Sequence, residues 1–395
     1  MSLKDDPVKA RGSMRLLIVD DLEINRDLLV RRVRRLGHEA GTAVNGSDAL
    51  EQLRAAPWDL VLLDITMPVM DGYDTLRYIK ADPLLADTPV VMVSAIDETD
   101  SVVRCLELGA DDYLTKPFNP IILHARIESS LAKKRLADQQ RLLLKALSRE
   151  MEIGQRIQKG FLPEALPVLA GWDLAGCCVP ARQVSGDFYD VFILPSGRLA
   201  LIVADVCDKG VGAALYMALF RTLLRAMSCH SSTSEAPKDT LARTVAFTND
   251  YISGVHGRES MFATVFFAIL DPASGHLDYI NAGHEAPVIK RGSSHNLERL
   301  SPSGGAVGLL PEIRCPVQEF ELQPGDSLFA FTDGVTEAMG DTGEFGEAAL
   351  LHEVVTAGPQ AANYLESIQS RMAIHVGSHY PYDDVTMLCV VRTAS

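Results

Sequence analysis

The sequence is short of positive charge: 37 lysines and arginines stand against 52 aspartates and glutamates, a formal net charge of -15 over 395 residues. A field of that sign works against binding a polyanion, so nucleic acid is not an expected partner unless a basic face is segregated. The richest basic string, "VRRVRRLG" at Val30 to Gly37, sits among Leu28, Leu29, Val33 and Leu36 at helical spacing and reads as a solvated helix face. The seven cysteines include no C-x-x-C and no zinc spacing with histidine, so they are read as reduced, mostly buried thiols of a cytoplasmic protein, the adjacent Cys177 and Cys178 included. Long apolar runs are also missing. Stretches such as "LALIVADV" are short and broken by aspartate, and the polar "MSLKDDPVKARGS" has no apolar signal core, so no membrane span is expected. There is no Gly-rich nucleotide loop followed by lysine, and no basic helix-turn-helix region, which disfavours a kinase or a transcription factor.

What is present falls into two patterns. From Arg15, short apolar runs alternate with amphipathic stretches, which predicts a parallel sheet wrapped by helices. "RLLIVD", "HEAGTAV", "WDLVLLD", "TPVVMVSA" and "DDYLTKP" read as strands, and the stretches between them as helices. This is an α/β doubly wound domain with a five-stranded parallel sheet over residues 15–127, preceded by a loose tail over 1–14. The segment up to Gly160 has no proline after Pro120 and reads as one long helix, its coiled-coil-like part being a linker over 128–160. Leu136, Leu143, Leu147 and Met151 form an apolar stripe along it, open to two readings: a helix lying on its own domain, or the preferred parallel homodimer contact. From Phe161 to Ser395 short alternating strands and hairpins mix with three helices, "GAALYMALFRTLLRAMS", "DTLARTVAFTNDYISG" and "AANYLESIQSRMAIHVG", which predicts an α+β sandwich. The stripe Met217, Leu219, Phe220, Leu223 and Leu224 is read as core packing.

In a doubly wound sheet, chemistry gathers at the carboxyl ends of the strands. Asp20 and Asp21 end the first strand, Asp64 the third, and Lys116 the fifth. Adjacent carboxylates are held together most readily by a cation, and an all-oxygen set suits Mg²⁺. Asp64 is then placed to attack a phosphoryl group in line, with Lys116 neutralising its oxygens, Ser94 donating a hydroxyl, and Tyr113 turning inward afterwards. With these residues in order, 15–127 resembles the receiver domain of bacterial two-component response regulators. The resemblance implies phosphorylation of Asp64 by a sensor histidine kinase.

The C-terminal region repeats the theme over about 200 residues. Asp187 in "VSGDFYD", Asp205 in "VADVCDKGVGAA", Asp333 in "FTDGVTEA", and Asp383 with Asp384 in "DDVTML" each lie beside an apolar strand, most also beside glycine. Converging carboxylates need divalent cations, and oxygen ligands favour Mg²⁺ or Mn²⁺, two of which can aim a water at a phosphomonoester. Residues 161–395 resemble the bacterial PPM-type (PP2C-like) serine/threonine phosphatases of the SpoIIE/RsbU kind, through "GDFYD", "ADVCDKGVGAAL", "INAGHEAPVI", "LQPGDSLFAFTDGVTEA" and "YPYDDVTMLCV". The resemblance implies a PP2C-like β-sandwich flanked by helices. It makes Asp187, Asp205, Asp333 and Asp383 metal ligands, with the Val206 carbonyl available and Asp384 in the outer shell. It also implies a phosphoserine or phosphothreonine substrate on an anti-sigma-factor antagonist. One departure is Cys207-Asp208 where many relatives have Ser-Gly, which puts the loop's conformation in question. His284 and Arg182 are weaker phosphate-binding candidates, His284 being read as structural. The competing expectation is a binding module with an inactive phosphatase-like domain.

Overall fold

The computed structural model describes residues 13–95, 99–117, 119–292, 296–379 and 382–393. Most of the N-terminal tail, and Tyr380 and Pro381 of the "YPYDD" string, lie outside the described residues. The chain forms two units that divide between Leu147 and Ser148, inside the helix read as a linker.

In the first unit, β1 (Arg15–Val19), α1 (Glu23–Arg35), β2 (Glu39–Ala43), α2 (Gly46–Ala55), β3 (Leu60–Asp64), α3 (Gly72–Ala81), β4 (Val90–Ser94), α4 (Thr99–Glu107) and β5 (Asp112–Thr115) alternate, and α5 (Pro120–Lys159) follows. All strand pairs are parallel, in the order β2-β1-β3-β4-β5, so the chain reverses its direction of winding at β1. The central strands are buried on both faces, which explains why they read as unbroken apolar runs rather than alternating ones. One face packs Leu50, Leu53, Leu76 and Ile79 of α2 and α3. The other packs Leu29 and Val33 of α1, and Leu123, Ile127 and Leu131 at the base of α5. Arg34 and Arg35 of the basic string are not among the buried positions of α1, in keeping with a solvated face. Beyond Leu131 the stripe emerges: Leu136, Leu143 and Leu147 are all exposed.

The second unit begins within α5 and continues with β6 (Trp172–Val179), β7 (Phe188–Ile193), β8 (Leu199–Val206), α6 (Val211–Cys229), α7 (Pro237–Val255), β9 (Ala263–Leu270), β10 (His276–Ala282), β11 (Val288–Lys290), β12 (Leu297–Arg299), β13 (Gln318–Glu321) and β14 (Ser327–Phe331). A 3-10 turn at Asp333–Val335, a small ribbon of β15 (Met339–Gly340) and β16 (Gly343–Glu344), then α8 (Gly346–Thr356), α9 (Ala361–Val376) and β17 (Val385–Arg392) complete it. Two antiparallel sheets, β13-β10-β9-β8-β7 and β12-β11-β14-β17-β6, bury Tyr189, Val203 and Phe266 of one against Leu328, Leu388 and Val390 of the other. Met217, Phe220 and Leu224 of α6 cover the outer face of the first sheet together with α7, while Ile368 and Met372 of α9 cover the second together with α8. The result is a four-layer α/β/β/α sandwich, the expected class.

Three details go beyond the sequence reading. The adjacent strands β13 and β14 are not a hairpin: β13 pairs with β10 in one sheet and β14 with β11 and β17 in the other. Their connection passes through Gly325 at φ +90°, a left-handed turn in which the chain changes sheets. Helix α8, although made largely of good helix formers, has no clear amphipathic period to single it out. The ribbon of β15 and β16 is too short to show alternation.

All seven cysteines are free. On β6, burial pushes the Cys177 thiol up to about 11 and that of Cys178 to about 12, so both stay protonated.

One buried ion cluster ties α6 to the sheet. Asp190 on β7 is fully buried and meets Arg221 at 3.1 Å and Arg225 at 2.8 Å. Removing one partner of such a cluster leaves charge unpaired, so Asp190→Ala should destabilise the second unit by about 3–5 kcal/mol. Denaturant unfolding of the full chain checks this, and pairing it with Arg221→Met should recover part of the loss.

Candidate functional site

The first cluster lies at the carboxyl end of the parallel sheet. Asp64 is the last residue of β3 and buried, Asp20 follows β1 and is buried, and Asp21 beside it is exposed. One carboxylate oxygen from each of Asp20, Asp21 and Asp64 lies within 4.8 Å of the others, the span of a single cation's ligand shell. Lys116, just past β5, places Nζ 2.7 Å from Asp20 Oδ2 and 2.9 Å from Asp64 Oδ1. Burial raises the Asp64 carboxyl above its ordinary range, and Lys116 opposes that shift. The same two carboxylates hold the Lys116 ammonium above its usual range although burial works the other way. Ser94 ends β4 and is buried, and Tyr113 on β5 is part of the apolar core. The backbone leaves no room here: a Cβ on Gly72, at the start of α3, would meet the Asp64 carbonyl at 2.2 Å.

The second cluster lies at one end of the sandwich. Asp187 precedes β7 and is 2% exposed, Asp205 is near the end of β8, Asp333 opens the 3-10 turn after β14, and Asp383 stands before β17. They form a chain of neighbours. Burial and then the Asp205 charge raise Asp187 well above the ordinary carboxylate range. Burial and Asp333 raise Asp205 to about 6, while burial and Asp383 raise Asp333. Carboxylates that resist ionisation together are waiting for positive charge. One cation is already there: Lys209 Nζ lies 2.7 Å from Asp383 Oδ2, donates to the Tyr382 carbonyl at 2.9 Å, and sits 4.4 Å from the Tyr382 ring centroid. Among the described residues only the Asp20, Asp21 and Asp64 group brings three such ligand atoms within 4.8 Å. The sandwich carboxylates are grouped more loosely: Asp205 feels the charges of Asp333, Asp383 and Asp384 and is hydrogen-bonded to Asp187, an all-oxygen set of the kind that hard divalent cations take.

Asp384 has a different geometry from its neighbour. Its Oδ1 accepts the Ala181 N–H at 2.7 Å and its Oδ2 the Gly186 N–H at 2.8 Å, so both oxygens pin the loop that delivers Asp187. That loop also carries the exposed Arg182. Thr332 donates its hydroxyl to Asp187 Oδ2 at 2.6 Å and accepts the Thr386 N–H at 3.0 Å, locking two strands to one carboxylate. Sequence reasoning passed over Thr332 and gave Lys209 no role of its own. The only signal was adjacency to Asp333 and position within the "CDKG" string. A Cβ on Gly334 would meet the Asp384 carbonyl at 2.0 Å, and one on Gly186 the Val206 carbonyl at 2.8 Å, so both glycines permit the strand ends to converge. The Cys207-Asp208 departure is accommodated. Asp208 takes φ +71°, a left-handed conformation that aspartate tolerates better than most residues, and its Oδ1 accepts the Lys209 N–H. Cys207 Sγ in turn accepts the Phe262 N–H at 3.2 Å.

With this geometry in hand, residues 195–393 match the family described as Stage II sporulation protein E (SpoIIE). The chain belongs to that family. Residues 16–128 match the response regulator receiver domain, which identifies the first unit. Protein IcfG of Synechocystis sp. is 34% identical over 407 residues, covering 98% of this chain and 60% of that protein. A probable transcriptional regulator, ycf27 of Cyanidium caldarium, is 42% identical over 118 residues, 30% of this chain and 46% of that protein. The chain thus spans less than two thirds of the length of either relative. Among solved structures, the SiaA-PP2C domain of Pseudomonas aeruginosa aligns with a TM-score of 0.53 at 20% identity, covering 62% of this chain and 97% of that one, a likeness of fold.

His284 is 2% exposed, with Nδ1 2.9 Å from Thr264 Oγ1, which favours the structural reading over phosphate contact. Burial pushes its imidazole down to about 4 from 6.5. The unfolded chain then binds the extra proton in that interval, so the stabilisation is complete above pH 6.5 and is lost as pH falls towards 4. The full span is worth about 3 kcal/mol. His284→Asn, which takes up no proton, should flatten the slope of unfolding free energy between pH 4 and 6.5 relative to the native chain. Equal slopes in denaturant titrations would show that His284 is not held neutral.

Proposed function

We propose that this protein is a metal-dependent phosphoserine/phosphothreonine protein phosphatase whose activity is governed by phosphorylation of Asp64. The observation that carries the reading is the chain of carboxylates Asp187, Asp205, Asp333 and Asp383, with raised proton affinities at Asp187, Asp205 and Asp333, set in a SpoIIE-family sandwich behind a receiver domain. These four, with the Val206 carbonyl, would hold two Mg²⁺ or Mn²⁺ ions, which supply positive charge to the phosphoryl oxygens and acidify the attacking water. The protein's own groups do the positioning. Thr332 fixes one oxygen of Asp187, and Asp384 fixes the loop before it. In the hydrolysis a water oxygen bonds to phosphorus as the ester P–O bond breaks, and the departing serine or threonine oxygen takes a proton.

In the receiver, Asp20, Asp21 and Asp64 fit one Mg²⁺, and an oxygen of Asp64 would bond to the phosphorus of a histidine kinase's phosphohistidine as its P–N bond breaks, with Lys116 neutralising the transferred group. Ser94 and Tyr113 are the residues proposed to respond to that group. The substrate, a phosphorylated anti-sigma-factor antagonist in a partner-switching pathway, follows from the SpoIIE/RsbU resemblance. A homodimer through α5 is supported by the exposure of Leu136, Leu143 and Leu147.

With Mn²⁺ the wild type should hydrolyse p-nitrophenyl phosphate and a phosphoserine peptide, and Asp205→Asn should lower kcat by about 10³-fold or more. No hydrolysis by the wild type would leave a binding module instead. Beryllium fluoride should change the rate of the wild type but not of Asp64→Asn. An unchanged wild-type rate and oligomeric state would break the coupling.

A further inference from the structure

Beside the sandwich carboxylates lies a cavity of about 270 Å³ that the reaction itself does not use. Its walls are Val179 of β6, Val385 of β17, Met372, Ala373 and Val376 of α9, and Met339 of β15. At one edge it is closed by Gly334 and Asp383, so it shares a wall with the cluster. Val179, Met339 and Tyr382 are large apolar side chains left exposed around it, whereas such groups normally appear singly on a surface. The apolar cavity between α5 and α6, lined by residues such as Ile157 and Leu215, touches none of the carboxylates.

We propose that this cavity is a substrate subsite, taking an apolar side chain, of the size of leucine, methionine or phenylalanine, that lies close in sequence to the phosphorylated residue of a protein substrate. The inference rests on the phosphatase reading and adds to it a side-chain preference. A phosphoserine presented to the cluster from the Asp383 side lays its backbone across the rim formed by Asp383 and Tyr382. At roughly 3.3–3.6 Å per extended residue, a side chain within about four positions of the phosphoserine reaches the cavity. The cluster attracts the substrate through phosphate charge, which every phosphoprotein carries. The cavity adds what charge cannot: an apolar contact that separates one phosphoprotein from another. Lys209, between Asp383 and the Tyr382 ring, puts a cation at the boundary of the two regions, where a phosphoryl oxygen and an apolar neighbour would diverge.

The test uses the full-length chain with Mn²⁺ and a series of phosphoserine peptides built on a Gly/Ser/Ala background, with one leucine moved from position -4 to +4. p-Nitrophenyl phosphate, which carries no residue flanking its phosphate ester, serves as reference. At one or two positions, leucine should raise kcat/KM by about 10-fold over alanine, on the scale of a filled apolar pocket. Ala373→Trp, at an exposed helical position that lines the cavity, should remove that advantage while p-nitrophenyl phosphate turnover stays within about 2-fold. Absence of turnover of p-nitrophenyl phosphate by the wild type would sink the phosphatase reading and this inference with it. Turnover with a flat leucine scan would overturn the subsite alone, whatever the variant does. A change of oligomeric state in Ala373→Trp, with peptide kinetics unchanged, would make the cavity an interface between copies and would also overturn it.

Discussion

Carboxylates that repel one another are held side by side at strand ends in both units, and the surroundings of each site are organised around that repulsion. Neither cluster is stable as a set of bare anions, because burial strengthens every like-charge interaction. Each unit supplies a lysine from a neighbouring segment. Lys116 spans Asp20 and Asp64, and Lys209 pairs with Asp383. The difference between them is instructive. Lys116 bridges two carboxylates of a compact group that suits one ion, while Lys209 pairs with Asp383 and opposes the rise of Asp333 but leaves Asp187 and Asp205 facing each other. The second cluster therefore carries the larger unmet demand for positive charge.

Holding such groups together requires rigid backbone close by, and the two folds provide it in different ways. The parallel sheet brings Asp20, Asp64, Ser94 and Lys116 to one edge because every strand runs the same way, so successive strand ends are neighbours without further arrangement. In the antiparallel sandwich, strand ends alternate between top and bottom, and convergence needs local devices. Asp384 clamps two backbone N–H groups, Thr332 bonds both Asp187 and the Thr386 N–H, and Gly186 and Gly334 let main chains approach to distances that a Cβ would forbid.

That contrast explains what could be read from the sequence. The receiver site was legible residue by residue, since each functional group follows an apolar run by one or two positions and the run itself predicts the strand. The sandwich site was legible only through resemblance. The amide partners of Asp384 lie about 200 residues earlier in the chain, and no periodicity announces such a contact. The sheet change between β13 and β14 was hidden for the same reason, because a turn signal marks a reversal without saying which sheet receives the next strand. The Cys207-Asp208 departure looked disruptive as a string. It fits because what the position requires is a positive φ and a backbone hydrogen bond, both of which these residues provide.

The placement of Lys116 bears on how charge at Asp64 can be felt elsewhere in its unit. Its ammonium is divided between Asp20 and Asp64, so the phosphoryl group proposed for Asp64 would compete for a cation that Asp20 now shares. Lys116 follows β5 directly, and α5 begins at Pro120, four positions further along the chain. The base of α5 cannot absorb a shift freely, because Leu123, Ile127 and Leu131 are packed into the same core as Leu114 of β5 and Val93 of β4. A packed interface of this kind moves between discrete arrangements rather than deforming continuously, which is the property that a switch at the root of a long helix requires.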